Sequence, residues 1–186
     1  MCIRDRCWVC LGIVDGTTDL AVYFEGEVHH SVVFPMGGSQ ITKDIAVTMH
    51  TPTMAAQKIK HHYGSAISDT VGLSDLIELP SIGGNGSRTL PQHYLAKVIE
   101  ARLEENFQLI NTNLIETNYK EHMRSGLVLT GGTSKIAHIE TLAERIFQVP
   151  IRLAAPRYNG NLNEIVGHPR FATGCLLYTS PSPRDS

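Results

Sequence analysis

The segment GLVLTGGTSKIAHIETLAERIFQVPIRL, which ends at Leu153, constrains the fold most strongly. An apolar run ends at two glycines, apolar residues then recur at helical spacing, and a second short apolar run closes the segment. The positions that share the helical face are Ile136, Ile139, Leu142, Ala143, Ile146 and Phe147. A strand–helix–strand unit of this size joins two parallel strands by a right-handed crossover, so the sequence predicts parallel pairing.

An earlier pair of β-rich runs predicts antiparallel pairing in the same chain. Asp19–Phe24 and Val28–Phe34 are separated by the short sequence EGE, which has the length of a hairpin connection. Parallel and antiparallel pairing together give a mixed sheet. The fold class is therefore α/β or α+β.

The stretch between these units is predicted to be mostly helical. A first helix begins at Ser39, a good N-cap residue, and Thr51-Pro52 separates it from a second helix that ends at Gly64. LIELPSIGGNGSRTL predicts a second hairpin, since no lysine and no helix follow its GGNG turn as they would in a phosphate loop. The longest periodic segment starts at Pro91 and predicts a helix of about 28 residues. The carboxylates beside its apolar stripe are predicted to be solvated and not catalytic: Glu100, Glu104 and Glu105.

The composition is that of a globular chain and disfavours several kinds of partner. Of the 186 residues, 42% are hydrophobic and 18% are charged. The formal net charge of -2 gives no reason to expect nucleic acid as a partner. Because no apolar run approaches the ~20 residues that span a bilayer, we expect a soluble, cytoplasmic chain. Cys7 and Cys10 have CxxC spacing, but no second ligand pair follows, so no metal site is expected.

The two ends of the chain do not follow these patterns. MCIRDR at the start and LLYTSPSPRDS at the end have no strand or helix periodicity, and the latter is rich in serine and proline. We expect residues 1–10 and 178–186 to be foreign to the native chain, which would then be truncated on both sides.

The motif LTGGTSKI is the first candidate binding segment. Gly131 and Gly132 follow an apolar strand, where glycines let a ligand approach the backbone closely. Thr133 and Ser134 lead into a helix whose first N–H groups can face a ligand. The same two side chains are also suited to capping the helix. A nucleotide site and a plain capped turn both agree with this motif.

The sequence GIVDGTTDLAVYF near the start is the second candidate segment. Gly16 frees the backbone, and Thr17 and Thr18 offer hydroxyl groups. Asp15 and Asp19 are suited to holding water around Mg²⁺. Taken alone, the motif agrees equally well with a plain turn.

A cluster of basic residues lies on the second predicted helix, in AAQKIKHHYG. Lys58 and Lys60 are typical solvent-facing charges. His61 and His62 are adjacent, and adjacent helical side chains point about 100° apart, so the two imidazoles do not face one metal ion. Both histidines are predicted to be structural or surface residues.

Three features in this order carry a family resemblance: the GTTD turn before a hairpin, a helical insertion, and the LTGGTSKI turn. Together they resemble the second half of the nucleotide-binding fold of actin, Hsp70 and the sugar kinases. Within that fold the chain is most similar to the FtsA family of bacterial cell-division proteins. The similar segments are GTTDLAVY, ITKDIAVTMHTPTMAAQKIKHHYGSA, LPSIGG, GLVLTGGTSKIAHIETLAERIFQVPIRL and PRFATGCLL.

The resemblance covers residues 12–177 and implies a specific fold. It implies an α/β, actin-like (ribonuclease-H-like) mixed sheet with flanking helices. Subdomain IIA would comprise residues 12–37 and 98–177, and subdomain IIB would be the insertion at residues 38–97.

The resemblance also implies a nucleotide site for ATP and Mg²⁺, without naming any catalytic residue. The second phosphate loop would be Gly16, Thr17, Thr18 and Asp19. The nucleoside would be approached by Gly131, Gly132 and Thr133, and Lys60 falls where a IIB lysine reaches the sugar or base. Any ATPase activity would belong to the intact protein.

The implied role is that of an adaptor which polymerises and links the FtsZ ring to the membrane. IIB would receive the C-terminal tail of FtsZ, and the protein would self-associate into filaments. The membrane would be reached only through a C-terminal amphipathic helix that this sequence lacks. The intact protein would lie in the cytoplasm, at the inner face of the cell membrane at the division site.

The phosphate loop departs from the family pattern. The family loop reads Asp-Ile-Gly-Gly-Gly-Thr-Thr-Asp, whereas Gly12, Ile13, Val14 and Asp15 precede Gly16 here. Aligned without a gap, the loop lacks its first acid and two glycines, and aligned on IVD it lacks three residues. A valine where φ > 0 is needed would be strained. With half of the cleft, ATP binding is expected to be weak.

Two alternatives within the same superfamily remain open on the sequence alone. The first is an MreB-like or pilus-assembly actin homologue, which the upstream subdomain would distinguish. The second is a sugar kinase-type enzyme, which would need a sugar-binding acid in subdomain I.

Overall fold

The computed structural model describes residues 8–25, 27–80, 87–123 and 126–154. The PRFATGCLL segment, the GGNG turn and the last predicted foreign segment lie outside these ranges. The strands are β1 (Trp8–Ile13), β2 (Thr18–Phe24), β3 (Glu27–Phe34), β4 (Leu76–Pro80), β5 (Ser87–Pro91), β6 (Leu127–Thr130) and β7 (Ile151–Leu153). The helices are α1 (Gly38–Thr48), α2 (Thr53–Tyr63), α3 (Gln92–Glu116) and α4 (Ile139–Phe147), and short 3-10 turns cover Ser68–Thr70, Lys120–His122 and Gly132–Lys135.

The main sheet is mixed, as the sequence predicts. Its five strands lie in the order β3-β2-β1-β6-β7. β1, β2 and β3 are antiparallel neighbours, whereas β1 with β6 and β6 with β7 are parallel pairs. The predicted β2–β3 hairpin and the parallel β6–β7 unit are therefore confirmed. The second predicted hairpin is also confirmed, because β4 and β5 form a separate antiparallel pair.

β1 is the central strand of the sheet. Val9 pairs with Val22 of β2 on one side and Leu127 of β6 on the other, and its side chain is fully buried. Residues 8–10, which fall in a segment that we expect to be foreign, thus pair within the sheet. The expectation of foreign ends stays a prediction.

α3 supplies much of the core along one stripe. It spans 25 residues and ends where Asn118 takes the left-handed conformation, with φ 59°. Its apolar side chains belong to the same buried cluster as those of β1 and β2, and the ring of Phe107 lies 5.5 Å from that of Phe147 on α4. Helical spacing predicts a stripe that includes Val98 and Arg102, of which Val98 is partly buried and Arg102 is 31% exposed. The stripe is confirmed at its other positions, all at most 1% exposed: Leu95, Ile99, Leu103, Phe107, Ile110 and Leu114.

The predicted insertion at residues 38–97 contains α1, α2 and the β4–β5 pair, while all five strands of the main sheet lie outside it. α3 continues across the predicted boundary, and α1 packs against both α2 and α3. A single buried apolar cluster includes residues from both parts. The division into subdomains stays a prediction.

Polar side chains of α3 fasten it to its neighbours. The Glu100 carboxylate accepts hydrogen bonds from the Ser68 N–H at 2.9 Å and the Arg145 guanidinium at 3.0 Å. Two residues further on, the Arg102 Nε donates to the Asp44 carboxylate of α1 at 2.5 Å. The prediction that Glu100 is solvated is therefore wrong, since its side chain is only 17% exposed. Partial burial raises the pKa of Glu100, but the bonds from Ser68 and Arg145 outweigh burial and lower it.

Glu100→Gln tests this connection through its pH dependence. The folded-state pKa lies below the ordinary value of 4.5, so the stabilisation is present above pH 4.5 and is lost as the pH falls through the lowered pKa. We expect the variant to lose about 1 kcal/mol of unfolding free energy at pH 7, because Arg145 is partly solvent-screened. Urea unfolding at pH 7 and at pH 3 measures this loss, which should shrink at the lower pH. Glu104→Gln, one turn along the same helix, is the control, and an equal loss in both variants would contradict the assignment.

Candidate functional site

The candidate site lies at one edge of the sheet, where the parallel strands β1 and β6 both end. A cavity of about 730 Å³ opens there. Its walls are the β1–β2 turn, one face of α2, and the segment that follows β6. In α/β proteins, ligands usually bind in a crevice outside the carboxyl ends of the parallel strands, at the topological switch point of the sheet.

Gly131 allows the two strand ends to meet. It has φ +94°, and a Cβ placed on it would lie 2.2 Å from the carbonyl oxygen of Ile13. The Ser134 hydroxyl donates to the Gly131 carbonyl at 2.7 Å and closes the turn. The turn continues as a 3-10 segment, and α4 begins only at Ile139. Thr133 and Ser134 thus lead into α4 through the 3-10 segment, and the residue at the N-cap of α4 is His138.

The β1–β2 turn docks on the first turn of α1. The Gly38 N–H donates to the Val14 carbonyl at 2.9 Å, and the Ser39 N–H donates to the Asp15 carbonyl at 2.7 Å. The predicted N-cap role of Ser39 is wrong, because the helix begins at Gly38 and the carbonyls of the turn satisfy its first N–H groups. Gly37 permits this close approach, since a Cβ there would lie 2.5 Å from the Val14 carbonyl oxygen.

Lys60 forms the inner part of the cavity wall. Its ammonium group donates to the Gly38 carbonyl at 2.8 Å and to the Thr42 hydroxyl at 2.7 Å. The residue is 6% exposed, which is unusual for lysine and reflects these two bonds. Burial lowers the pKa of Lys60, and the Asp15 carboxylate opposes that change. The prediction of a solvent-facing charge is wrong for Lys60.

The structure brings together some of the predicted nucleotide residues and not others. Lys60, Gly132 and Thr133 border the cavity, and the Thr133 hydroxyl donates to the Val14 carbonyl at 3.4 Å. Gly131 lies behind the wall, against Ile13.

The four residues of the predicted phosphate loop do not border the cavity. Gly16 is exposed with open space around it, and Thr17 is half-buried. The buried Thr18 hydroxyl donates to the Met36 carbonyl at 2.7 Å, and Asp19 pairs within the sheet. The Val14 N–H instead closes a tight turn by donating to the Thr17 carbonyl at 3.0 Å. Val14 has no positive φ, so the strain expected there is absent.

Sequence reasoning missed several cavity residues. Gln57 and His61 border it with Lys60, and their spacing places these three on one face of α2; Gly64, directly after the helix, borders it as well. Helical spacing on that segment was the signal that could have found them. Burial, followed by electrostatic interactions with Lys60 and His62, lowers the pKa of His61 and favours its neutral form, while Asp15 opposes this change.

Asp15 also borders the cavity, although the resemblance assigned it no role. The sequence predicts that its carboxylate holds water around Mg²⁺ together with Asp19, but Asp19 lies in β2 and does not border the cavity. Among the residues that the structure describes, no group of three or more His, Cys, Asp or Glu side chains is placed to hold a metal ion. The Mg²⁺ site stays a prediction.

The sequence comparisons decide the family. A family model described as Cell division protein FtsA matches residues 10–175. The chain belongs to the FtsA family. The FtsA of Neisseria meningitidis serogroup B is 44% identical over 171 residues, covering 91% of this chain and 41% of that protein. The FtsA of Escherichia coli K12 is 35% identical over 184 residues, covering 94% of this chain and 44% of that protein. The chain thus spans about two fifths of the length of these relatives.

Comparison with solved structures confirms the actin-like fold. MreB5 of Spiroplasma citri bound to ADP matches with a TM-score of 0.69 at 20% identity, covering 94% of this chain and 53% of that one. The PilM-PilN type IV pilus biogenesis complex matches with a TM-score of 0.65 at 19% identity, covering 94% and 46%. At these identities the likeness shows the fold alone. The family match therefore favours FtsA over the MreB-like, pilus-assembly and sugar-kinase alternatives.

None of the helices in the described ranges combines the length and the apolar character needed to cross a membrane.

The close approach at Gly131 predicts a large effect of a single methyl group. Gly131→Ala requires a positive φ and a backbone shift at Ile13, and we expect it to cost about 3 kcal/mol of unfolding free energy. Gly16→Ala is the matched control, since a Cβ there meets no atom within 4 Å, and we expect a change within about 0.5 kcal/mol. Urea unfolding followed by circular dichroism measures both. Equal stabilities of the two variants would show that the strand ends do not meet as described.

Proposed function

We propose that this chain is the nucleotide-binding and partner-binding part of an actin-like cell-division adaptor. The observation that carries the proposal is the cavity at the ends of β1 and β6, bordered by Lys60, Gly132 and Thr133 in a chain of the FtsA family. A structural neighbour supports the ligand class, since MreB5 of Spiroplasma citri is described as bound to ADP.

The nucleoside end of ATP fits the residues of the cavity. The volume of the cavity is within the range of small-molecule sites, roughly 300–1,000 Å³. Ile136 provides an apolar surface, Gln57 and His61 provide polar atoms, and Gly132 leaves the backbone open to close approach. In this proposal Lys60 holds the sugar or base side of the ligand. The resemblance assigns no nucleophile or general base, and we propose that any hydrolysis of ATP, with Mg²⁺, belongs to the longer protein.

Gly132→Val tests the nucleoside assignment. A branched side chain at the cavity wall would occupy part of the ligand's volume, and we expect adenosine to bind at least about tenfold more weakly. Calorimetric titration of adenosine into the 186-residue chain measures the affinity. Gly16→Val places the same side chain on an exposed turn outside the cavity and is expected to leave the affinity unchanged. If Gly132→Val, still folded by circular dichroism, bound adenosine as the original chain does, the assignment would be lost.

We propose a second role for residues 38–97, the binding of the FtsZ C-terminal tail. An apolar surface supports this role. It lies where α2 ends and where β4 and α3 begin, and Gln92 connects these parts by donating to the Tyr63 carbonyl at 2.9 Å. Clustered exposed apolar side chains are typical of protein-binding surfaces. The side chains are Tyr63, Leu73, Leu76 and Tyr94, which are 44%, 76%, 63% and 46% exposed.

Leu76→Ser tests this surface. We expect the chain to bind an FtsZ C-terminal peptide weakly, and the variant to lose at least about fivefold in affinity because an exposed apolar contact is removed. Fluorescence anisotropy of a labelled peptide measures the binding. Leu109→Ser changes another exposed leucine, 53% exposed against 63% for Leu76, which lies on α3 outside residues 38–97, and it serves as the control. Equal binding by both variants would place the peptide elsewhere.

The remaining family properties complete the proposal for the intact protein. It would self-associate into filaments at the inner face of the cell membrane, at the division site. Attachment to the membrane would use a C-terminal helix of the longer family members.

A further inference from the structure

We propose that the cavity binds the nucleoside part of a nucleotide and gains no affinity from the nucleotide's phosphates. We propose further that the charge of Asp15 is the cause of this missing gain. The inference rests on the proposed function, since it requires that the cavity holds a nucleotide. It concerns the phosphate end of ATP, which the residues around the β1–β2 turn do not fit.

The first observation is that the helix start beside the cavity is already occupied by the protein. Free N–H groups at a helix N-terminus attract phosphate. In α1 the N–H groups of Gly38 and Ser39 donate to the carbonyls of Val14 and Asp15, at 2.9 and 2.7 Å. The Val14 N–H donates to Thr17 within the turn itself. These three donors are therefore used inside the fold and are not directed to a ligand.

The second observation is the position of the Asp15 carboxylate. One of its oxygens lies 3.5 Å from the point that a Cβ on Gly38 would occupy, and the Lys60 Nζ lies 3.4 Å from the same point. The Thr133 hydroxyl lies 2.7 Å from that point. An acidic side chain thus shares the corner of the cavity with the lysine that a phosphate would approach.

Asp15 already lies near the charge of Lys60. A ligand phosphate that approached Lys60 would therefore also be repelled by the Asp15 carboxylate. The ammonium group of the lysine already donates to Gly38 and Thr42, and Asp15 lies near enough to act on its charge. A phosphate placed there would meet the Asp15 carboxylate at short range, and like charges repel. The other charged or titratable groups that border the cavity are Lys135, on the segment after β6, and His61, whose neutral form is favoured.

The test is a series of calorimetric titrations of the 186-residue chain with adenosine, AMP, ADP and ATP, with Mg²⁺ and with a chelator. We expect no gain in affinity along the series in either condition. Asp15→Asn keeps the carbonyl that accepts from Ser39 and removes only the charge. We expect it to increase the affinity for ATP relative to that for adenosine about three- to fivefold, because Asp15 is exposed and its charge is partly screened.

Asp69→Asn removes the same charge from an exposed side chain outside the cavity lining and is expected to change neither affinity. The gain in Asp15→Asn should also shrink in high salt, as a charge effect does. If adenosine bound, and ATP bound at least threefold more tightly than adenosine, the inference would be wrong and the proposed function would stand. An Asp15→Asn variant without the ATP gain would overturn it as well. If adenosine itself did not bind, the proposed function would fail and the inference with it.

Discussion

The parallel pairing of β1 with β6 is the constraint on which the rest of the structure depends. More than one hundred residues separate these strands, yet they must end at the same height for Gly131 to pass the Ile13 carbonyl. The helices α1, α2 and α3 lie in the connection between them, and β2 and β7 are placed as neighbours of this pair. Long-range parallel pairing carries a large loop-closure cost, which the apolar stripe of α3 and the shared core offset.

The cavity is built from this pairing by contacts distant in sequence. Val14 accepts from Gly38 and Thr133, and Gly38 in turn accepts from Lys60. Each of these bonds joins a different element, so the site forms only when the whole fold has formed. The proximity of Asp15 and Lys60 follows from the same set of bonds.

The elements predicted correctly are those whose signal is local. The stripe of α3, both hairpins and the strand–helix–strand unit each follow from residues within about 30 positions, where periodicity and turn residues decide the structure. The errors at Ser39, Lys60 and Glu100 have one cause. Each side chain or N–H group finds its partner far along the chain, and a single sequence does not contain that distance information. For this reason the sequence identifies only some of the residues that border the cavity: the family resemblance indicates Lys60, Gly132 and Thr133, whereas nothing in the sequence assigns Gln57 to it.

The hydrogen bond from Gln92 to the Tyr63 carbonyl has a mechanical consequence. It joins the last residue of α2, the helix that forms one wall of the cavity, to the first residue of α3. At 1.5 Å per residue, α3 is a helix about 38 Å long. Tyr94 lies in the first turn of α3. Glu100 and Arg102 bind α3 to the 3-10 turn at Ser68–Thr70, to α4 and to α1. This bond therefore connects α2 at the cavity to the first turn of α3 at the outer surface, where Tyr94 lies.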